Sequence, residues 1–417
     1  YFSFNAIAGA GVFTPVMGAF SARGSNDSVL TLYNTDGTTV IETDDNDGSF
    51  GASSSTIAGA TIPATGTYFL RVNHVSATNQ LRPYELYLRV QSGAPVAEVE
   101  PNDTPATANV LPSGRFVSGA RNPAAATEQD WYSLTLNAGD TVYLGLDLDP
   151  ERDNVQWDGR LGFALFGDVN NKILVVNDAS VGSAANPLSE AMFFTVKNAG
   201  TYYAFVDSAN AAVGGPTATY NLSVSVFPRT PVGVNCTTYT STNVPQTIGP
   251  GAGLVSSTLS VPGSPRIASM RVLLDLNHAL MQDIDVHLRS PAGNDNGLFT
   301  DIGAAAVGGQ TLMDLIIDDY AAVPPTFTVL RPYITKPELN YRLDWFNGEN
   351  AGGTWTLDIR DDSTNTSGGT LNNWGLEICE QPAPVGTLIY NENFEPALPP
   401  LITGNNTAPL ANNGGYT

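Results

Sequence analysis

Oxygen-rich turns carry most of the chemistry this sequence offers. Thr43-Asp44-Asp45-Asn46-Asp47-Gly48 sets three carboxylates and one amide close together. Hard oxygen donors in such density suit calcium. The run is not an EF-hand loop: Thr43 falls where the first ligand should stand and Ser54 where the last one should. Farther on, Asp283 and Asp285 are two residues apart in an alternating segment, which projects both carboxylates to one face of a strand. Clustered carboxylates repel one another, so a dication both relieves the repulsion and orders the loops. The competing reading is that Asp-rich turns cap themselves without metal.

Nucleophilic catalysis is hard to assemble from the rest. The chain has three histidines, His74, His278 and His287. His74 is read in a loop after a strand, His278 at a strand end and His287 inside a strand. A Ser-His-Asp device needs a histidine beside an exposed serine on a sharp turn, and no G-x-S-x-G occurs. H-E-x-x-H and C-x-x-C zinc spacings are absent as well. The segment is expected to carry no catalytic residue; a protease domain elsewhere in a longer protein stays open.

The elements that hold these turns are strands. Glycine (41) and proline (28) supply the turns that many short strands need across 417 residues, enough for three ordinary domains. Forty acidic against 18 basic residues give a net charge of −22. Nucleic acid and anionic membranes demand basic patches and are excluded as partners. No apolar run is long enough to span a membrane. An acidic surface suits divalent cations and solubility outside the cell, or simply keeps a sticky β protein apart.

An internal repeat organises the first half. Gly66-Thr67-Tyr68-Phe69-Leu70-Arg71-Val72 matches Gly200-Thr201-Tyr202-Tyr203-Ala204-Phe205-Val206, and 83–90 matches 219–226. The strand beginning at Ser28 matches the one beginning at Gly159. Asp27 and Asp45 then align with Asp158 and Asp178. The expected metal site of copy one is Asp27, Asp44, Asp45 and Asp47; copy two keeps a weaker one at Asp158 and Asp178. Copy one starts at Tyr1, equivalent to Trp131, without the opening strand of copy two, so the chain reads as a piece of a longer protein. Linkers 92–97 and 228–235 are short, which predicts beads with limited swing. Long helices are not expected; residues 188–194 allow a turn or two.

Two family resemblances give these segments a shape. Asp283-Ile284, Ser290-Pro291-Ala292-Gly293, Asp318-Asp319, Gly353-Thr354-Trp355-Thr356-Leu357 and Trp374 occur in an order that resembles the P-domain behind the catalytic domain of subtilisin-like proprotein convertases. The resemblance covers roughly residues 232–380 and implies a β-sandwich that accompanies enzymes. It also implies calcium near Asp283 and Asp285, with Asp318, Asp319 and Asp361 in adjacent loops; Asp283 and Asp319 carry over best. Cys236 and Cys379 stand at the two edges of that module and read as a disulfide closing it. Residues 1–92 and 98–228 resemble bacterial pre-peptidase C-terminal domains, on Glu98-Val99-Glu100-Pro101-Asn102-Asp103, Asp130-Trp131-Tyr132 and Gly200-Thr201-Tyr202-Tyr203. Residues 386–417 resemble the first strand of a further β module, or are a tail.

The expectation is therefore an all-β chain of tandem jelly-roll-like β-sandwiches, extracellular or at the cell surface, with structural calcium. Its first functional reading is adhesion, surface assembly or an external filament-like structure. Its partners would be other domains of the same long chain, identical copies, or a surface glycan or protein. The alternative is the accessory region of a secreted subtilisin-like or metalloprotease, stabilising the enzyme or holding substrate.

Overall fold

The computed structural model describes the chain except for residues 18–26, 46–53, 82–83, 112–115, 122–127, 156, 166–173, 177–187, 209–217, 303–310, 323–324, 326–332, 339 and 383–417. Asp47, Asp178 and the segment 386–417 lie outside the described residues. The described residues form strands and two short 3-10 turns, Met281–Asp283 and Leu343–Phe346. None of the described helices is long and apolar enough to cross a membrane. Residues 188–194, read as a helical turn or two, instead belong to the strand Ser189–Val196, which pairs along its length with Thr141–Asp147. Sheet pairing overrides local propensity there.

The repeat is visible as repeated strand order. In the first segment Gly66–His74 lies between Phe2–Ala6 and Ser28–Tyr33. In the second, Gly200–Ser208 lies between Asp130–Leu136 and Gly159–Leu165. The register repeats too, with Leu30 opposite Val72 and Leu161 opposite Val206. The opposing sheets are built alike, Gly11–Met17 between Ser55–Thr61 and Arg89–Gln91, and Thr141–Asp147 between Ser189–Val196 and Thr219–Phe227.

In the third segment, strands Gly253–Val261, Gly353–Asp361, Ile284–Arg289 and Asp295–Thr300 form one sheet. The other contains Gly369–Glu380, Ile267–His278 and Leu312–Ile317. The buried Trp374 crosses between the sheets, its indole N–H donating to Ser257 Oγ at 2.9 Å. Trp355 is as deeply buried and donates to the Ala351 carbonyl at 2.8 Å. Both rings bury large area while leaving no donor unmet.

Residues 1–381 form one compact unit, tighter than beads on linkers. One hydrophobic cluster runs from Phe13 and Ala58 through Leu144 and Tyr220 to Trp355 and Trp374. Between the second and third segments the backbone itself pairs, Thr195 with Ile334 and Val196 with Tyr333, so one sheet spans both. Arg229 and Arg271 both reach Asp318 there, at 3.1 and 2.9 Å.

The first and second segments meet also at a half-buried arginine. Arg152 reaches Asp147 Oδ1 at 2.7 Å and Glu42 Oε2 at 3.1 Å, and donates to the Ala58 carbonyl at 2.7 Å. Gly59 has a φ of +81° and leaves space for this approach: a Cβ there would sit 1.9 Å from an Asp147 carboxylate oxygen. Burial pushes Glu42 up to about 7 and Asp147 up to about 6, although Arg152 pulls both down.

Candidate metal centre

Oxygen donors converge most closely at the entrance to the second segment. Glu98 and Glu100 are two apart just after the short strand Val96–Ala97. Asp130 opens the strand Asp130–Leu136, and the Trp131 N–H donates to the Asn102 carbonyl at 2.9 Å, fixing the entering chain against it. The result places one carboxylate oxygen from each of Glu98, Glu100 and Asp130 within 4.8 Å of one another. The Tyr220 hydroxyl lies 2.8 Å from Asp130 Oδ2 and 2.9 Å from Glu98 Oε2. Gly119 permits this crowding, since a Cβ there would come within 2.4 Å of Tyr220 and 2.5 Å of Glu98.

Negative charge is in excess here. Burial first, then the Glu98 charge, pushes Asp130 up to about 8. Burial followed by Glu98 and Asp103 also raises Glu100. Asp130 Oδ1 and Asn102 Oδ1 are buried with no hydrogen-bond partner among the described residues. Carboxylates with unmet oxygens and a neighbouring amide form a donor set that fits a hard divalent cation. The sequence carries this signal in Glu98-Val99-Glu100-Pro101-Asn102, where two carboxylates and an amide occupy alternate positions.

The aspartates expected to bind metal fare unequally. Asp27 and Asp45 come together: burial and the Asp27 charge raise Asp45, and Oδ1 of each is buried without a hydrogen-bond partner among the described residues. Asp44 is buried and turns to the Thr56 N–H. Asp158 is half-buried, and its carbonyl accepts from Ser208 Oγ at 2.9 Å.

In the third segment the expected pair does not meet. Asp283 precedes Ile284, which lies opposite Asp361, and Asp361 is 3.3 Å from His278. Asp319 follows Asp318, which binds Arg271 at 2.9 Å. Seven residues of one strand separate Arg271 from His278, roughly 23 Å in extended chain. Asp319 instead accepts the N–H groups of Leu343 and Asp344 at 2.9 and 2.7 Å. Asp283 accepts from Asn365 Nδ2 at 2.7 Å, while Asp285 is raised by burial and by Asp301 and Asp362. One ion shared by Asp283 and Asp319 is thereby corrected: the two stand at opposite ends of the sandwich.

The histidines hold structural positions. His278 is fully buried beside Asp361, out of reach of any substrate. His287 faces Asp295 at 2.9 Å, and His74 ends its strand, with Nδ1 accepting the Ser76 N–H at 2.9 Å. Cys236 and Cys379 are bonded, joining neighbouring strands of one sheet across 143 positions of sequence.

Residues 267–378 match the family of the proprotein convertase P-domain. No curated protein matches the chain. Among solved structures, the pre-peptidase C-terminal domain of a Bacillus anthracis collagenase is similar at 19% identity, covering 28% of this chain and 94% of that one, with a TM-score of 0.21. A serine protease of Aeromonas sobria is similar at 17% identity and a TM-score of 0.21, over 36% of this chain and 28% of the protease's own length. At these TM-scores neither likeness decides a function.

Proposed function

We propose that this chain is an accessory β region of a secreted protease, without a catalytic group of its own, that stabilises the enzyme or holds its substrate. The match of residues 267–378 to the proprotein convertase P-domain carries the reading. It favours this alternative over the surface-assembly role expected first, for which nothing comparable speaks. The Cys236–Cys379 disulfide supports an oxidising, extracytoplasmic setting. Two pre-peptidase C-terminal type sandwiches ahead of a P-domain type sandwich remain the proposed division, with the repeated strand order as support.

Calcium is the proposed structural ion, held by Glu98, Glu100 and Asp130, with a second place at Asp27 and Asp45. The natural full-length protein tests the role. Peptidase activity that is intact at first but inactivates faster on warming after residues 1–381 are deleted supports it. A full-length protein without peptidase activity overturns it.

A further inference from the structure

A cleft of about 380 Å³ opens where the first and third segments meet. Tyr84 and Glu85 line one side; Tyr320, Lys336, Tyr341 and Arg342 line the other. Three tyrosines in one concave site are unusual on so acidic a surface, and two are well exposed, Tyr84 at 38% and Tyr320 at 60%. Tyr341 is held in place, its ring packing on His287 with centroids 6.2 Å apart. Just past the cleft, Trp345 is 73% exposed in a 3-10 turn anchored by buried Leu343 and Phe346. Exposed aromatics gathered beside a polar cleft mark binding surfaces more often than scattered ones do.

The charges decide the class of ligand. Lys336 pairs with Glu85 across the cleft, tying the first segment to the third. Asp319, also on the lining, is fixed by the N–H groups of Leu343 and Asp344. Glu85 and Asp319 are thus held in place, and with Asp344 they set three carboxylates against Lys336 and Arg342, which leaves the lining close to neutral. A lining so nearly balanced draws no polycation strongly, and the chain's net charge of −22 disfavours an anion. A neutral, polyhydroxylated ligand fits both facts: sugar C–H faces lie on tyrosine rings while hydroxyls bond the fixed polar groups. The volume lies within the range of small-ligand pockets, about 300–1,000 Å³.

We infer that this cleft binds a short neutral oligosaccharide. The site joins residues some 250 positions apart, 85 and 336 being salt-bridged, so it exists only when the first and third segments are docked. The purified chain is applied to an array of neutral, acidic and basic oligosaccharides and a set of lysine-rich peptides, and hits are titrated by calorimetry. Binding to a neutral saccharide, weakened at least tenfold by Tyr320→Ala and by Tyr84→Ala with thermal stability unchanged, is the expected result. Either of three outcomes overturns it: no neutral saccharide bound, binding confined to charged sugars or peptides, or neutral binding indifferent to both substitutions.

Discussion

Two junctions of this molecule, those on either side of the second segment, are built on different physics. Between the second and third segments, backbone hydrogen bonds carry one sheet across, Thr195 to Ile334 and Val196 to Tyr333, and two arginines share Asp318. Between the first and second, one arginine serves two buried carboxylates, Glu42 and Asp147. Backbone pairing neither titrates nor depends on a particular side chain. The junction at Arg152 titrates and depends on one half-buried cation between two acids, so it is the more specific and the more vulnerable.

The sharpest way to break that contrast is Arg152→Met. It leaves Asp147 fully buried without its partner, so chemical denaturation at pH 8 should show a loss of about 3–5 kcal/mol. The same change made in a Glu42→Gln, Asp147→Asn background should cost far less; equal losses would show that packing and not charge holds the junction.

Next in size is the ion proposed for the segment both junctions share. Calcium at a hundredfold excess over its dissociation constant should stabilise the chain by about 2.7 kcal/mol, read as a higher melting temperature than in chelator. Asp130→Asn should remove most of the difference. Because Asp130 holds its proton up to about 8, metal must displace that proton, and the calcium shift should be larger at pH 8 than at pH 6. A melting temperature indifferent to both calcium and chelator would reject the site.

Arg229→Met at the second junction should cost less, about 1.5 kcal/mol, because Arg271 of the same segment still compensates the Asp318 charge and the backbone pairing is untouched. A loss as large as that of Arg152→Met would show that this junction too rests on a single cation.

The smallest effect is a tilt with pH. Glu42 and Asp147 are raised by burial to about 7 and about 6, so the folded state binds more protons than the unfolded chain between ordinary carboxylate values and those values. Stability from these groups is therefore full at low pH and declines as pH rises through about 6 and 7. Glu42→Gln should flatten the pH 5 to 8 profile of denaturation midpoints. A wild-type profile that rises across that window would show Arg152 dominating the burial.

Much of the fold was legible in the residues themselves. Thr354 to Ile359 alternates apolar and polar residues, and the strand Gly353–Asp361 contains it with Trp355, Leu357 and Ile359 buried. The repeat of Gly66 onward with Gly200 onward returned as the same strand order and register. Cys236 and Cys379 bonded as expected because sheet pairing sets their strands side by side. These features are local or periodic: period-two alternation decides which face is buried whatever the strand later packs against.

The sites were less legible, since each joins residues far apart in sequence. Asp283 and Asp319 shared a family expectation, yet one strand's length keeps them at opposite ends of the sandwich. Glu98, Glu100 and Asp130 meet where the Asn102 carbonyl receives the Trp131 N–H and the Tyr220 hydroxyl lies between Glu98 and Asp130. Arg152 looks like an ordinary loop arginine until Ala58, Glu42 and Asp147 enclose it. Sequence alone determined the all-β class, the repeat and the disulfide, because strand alternation and turn chemistry are written within a few residues. Tertiary structure alone decided which carboxylates are crowded, which charges are buried and that the segments dock, because burial and electrostatic energy depend on distances that no spacing in the chain contains.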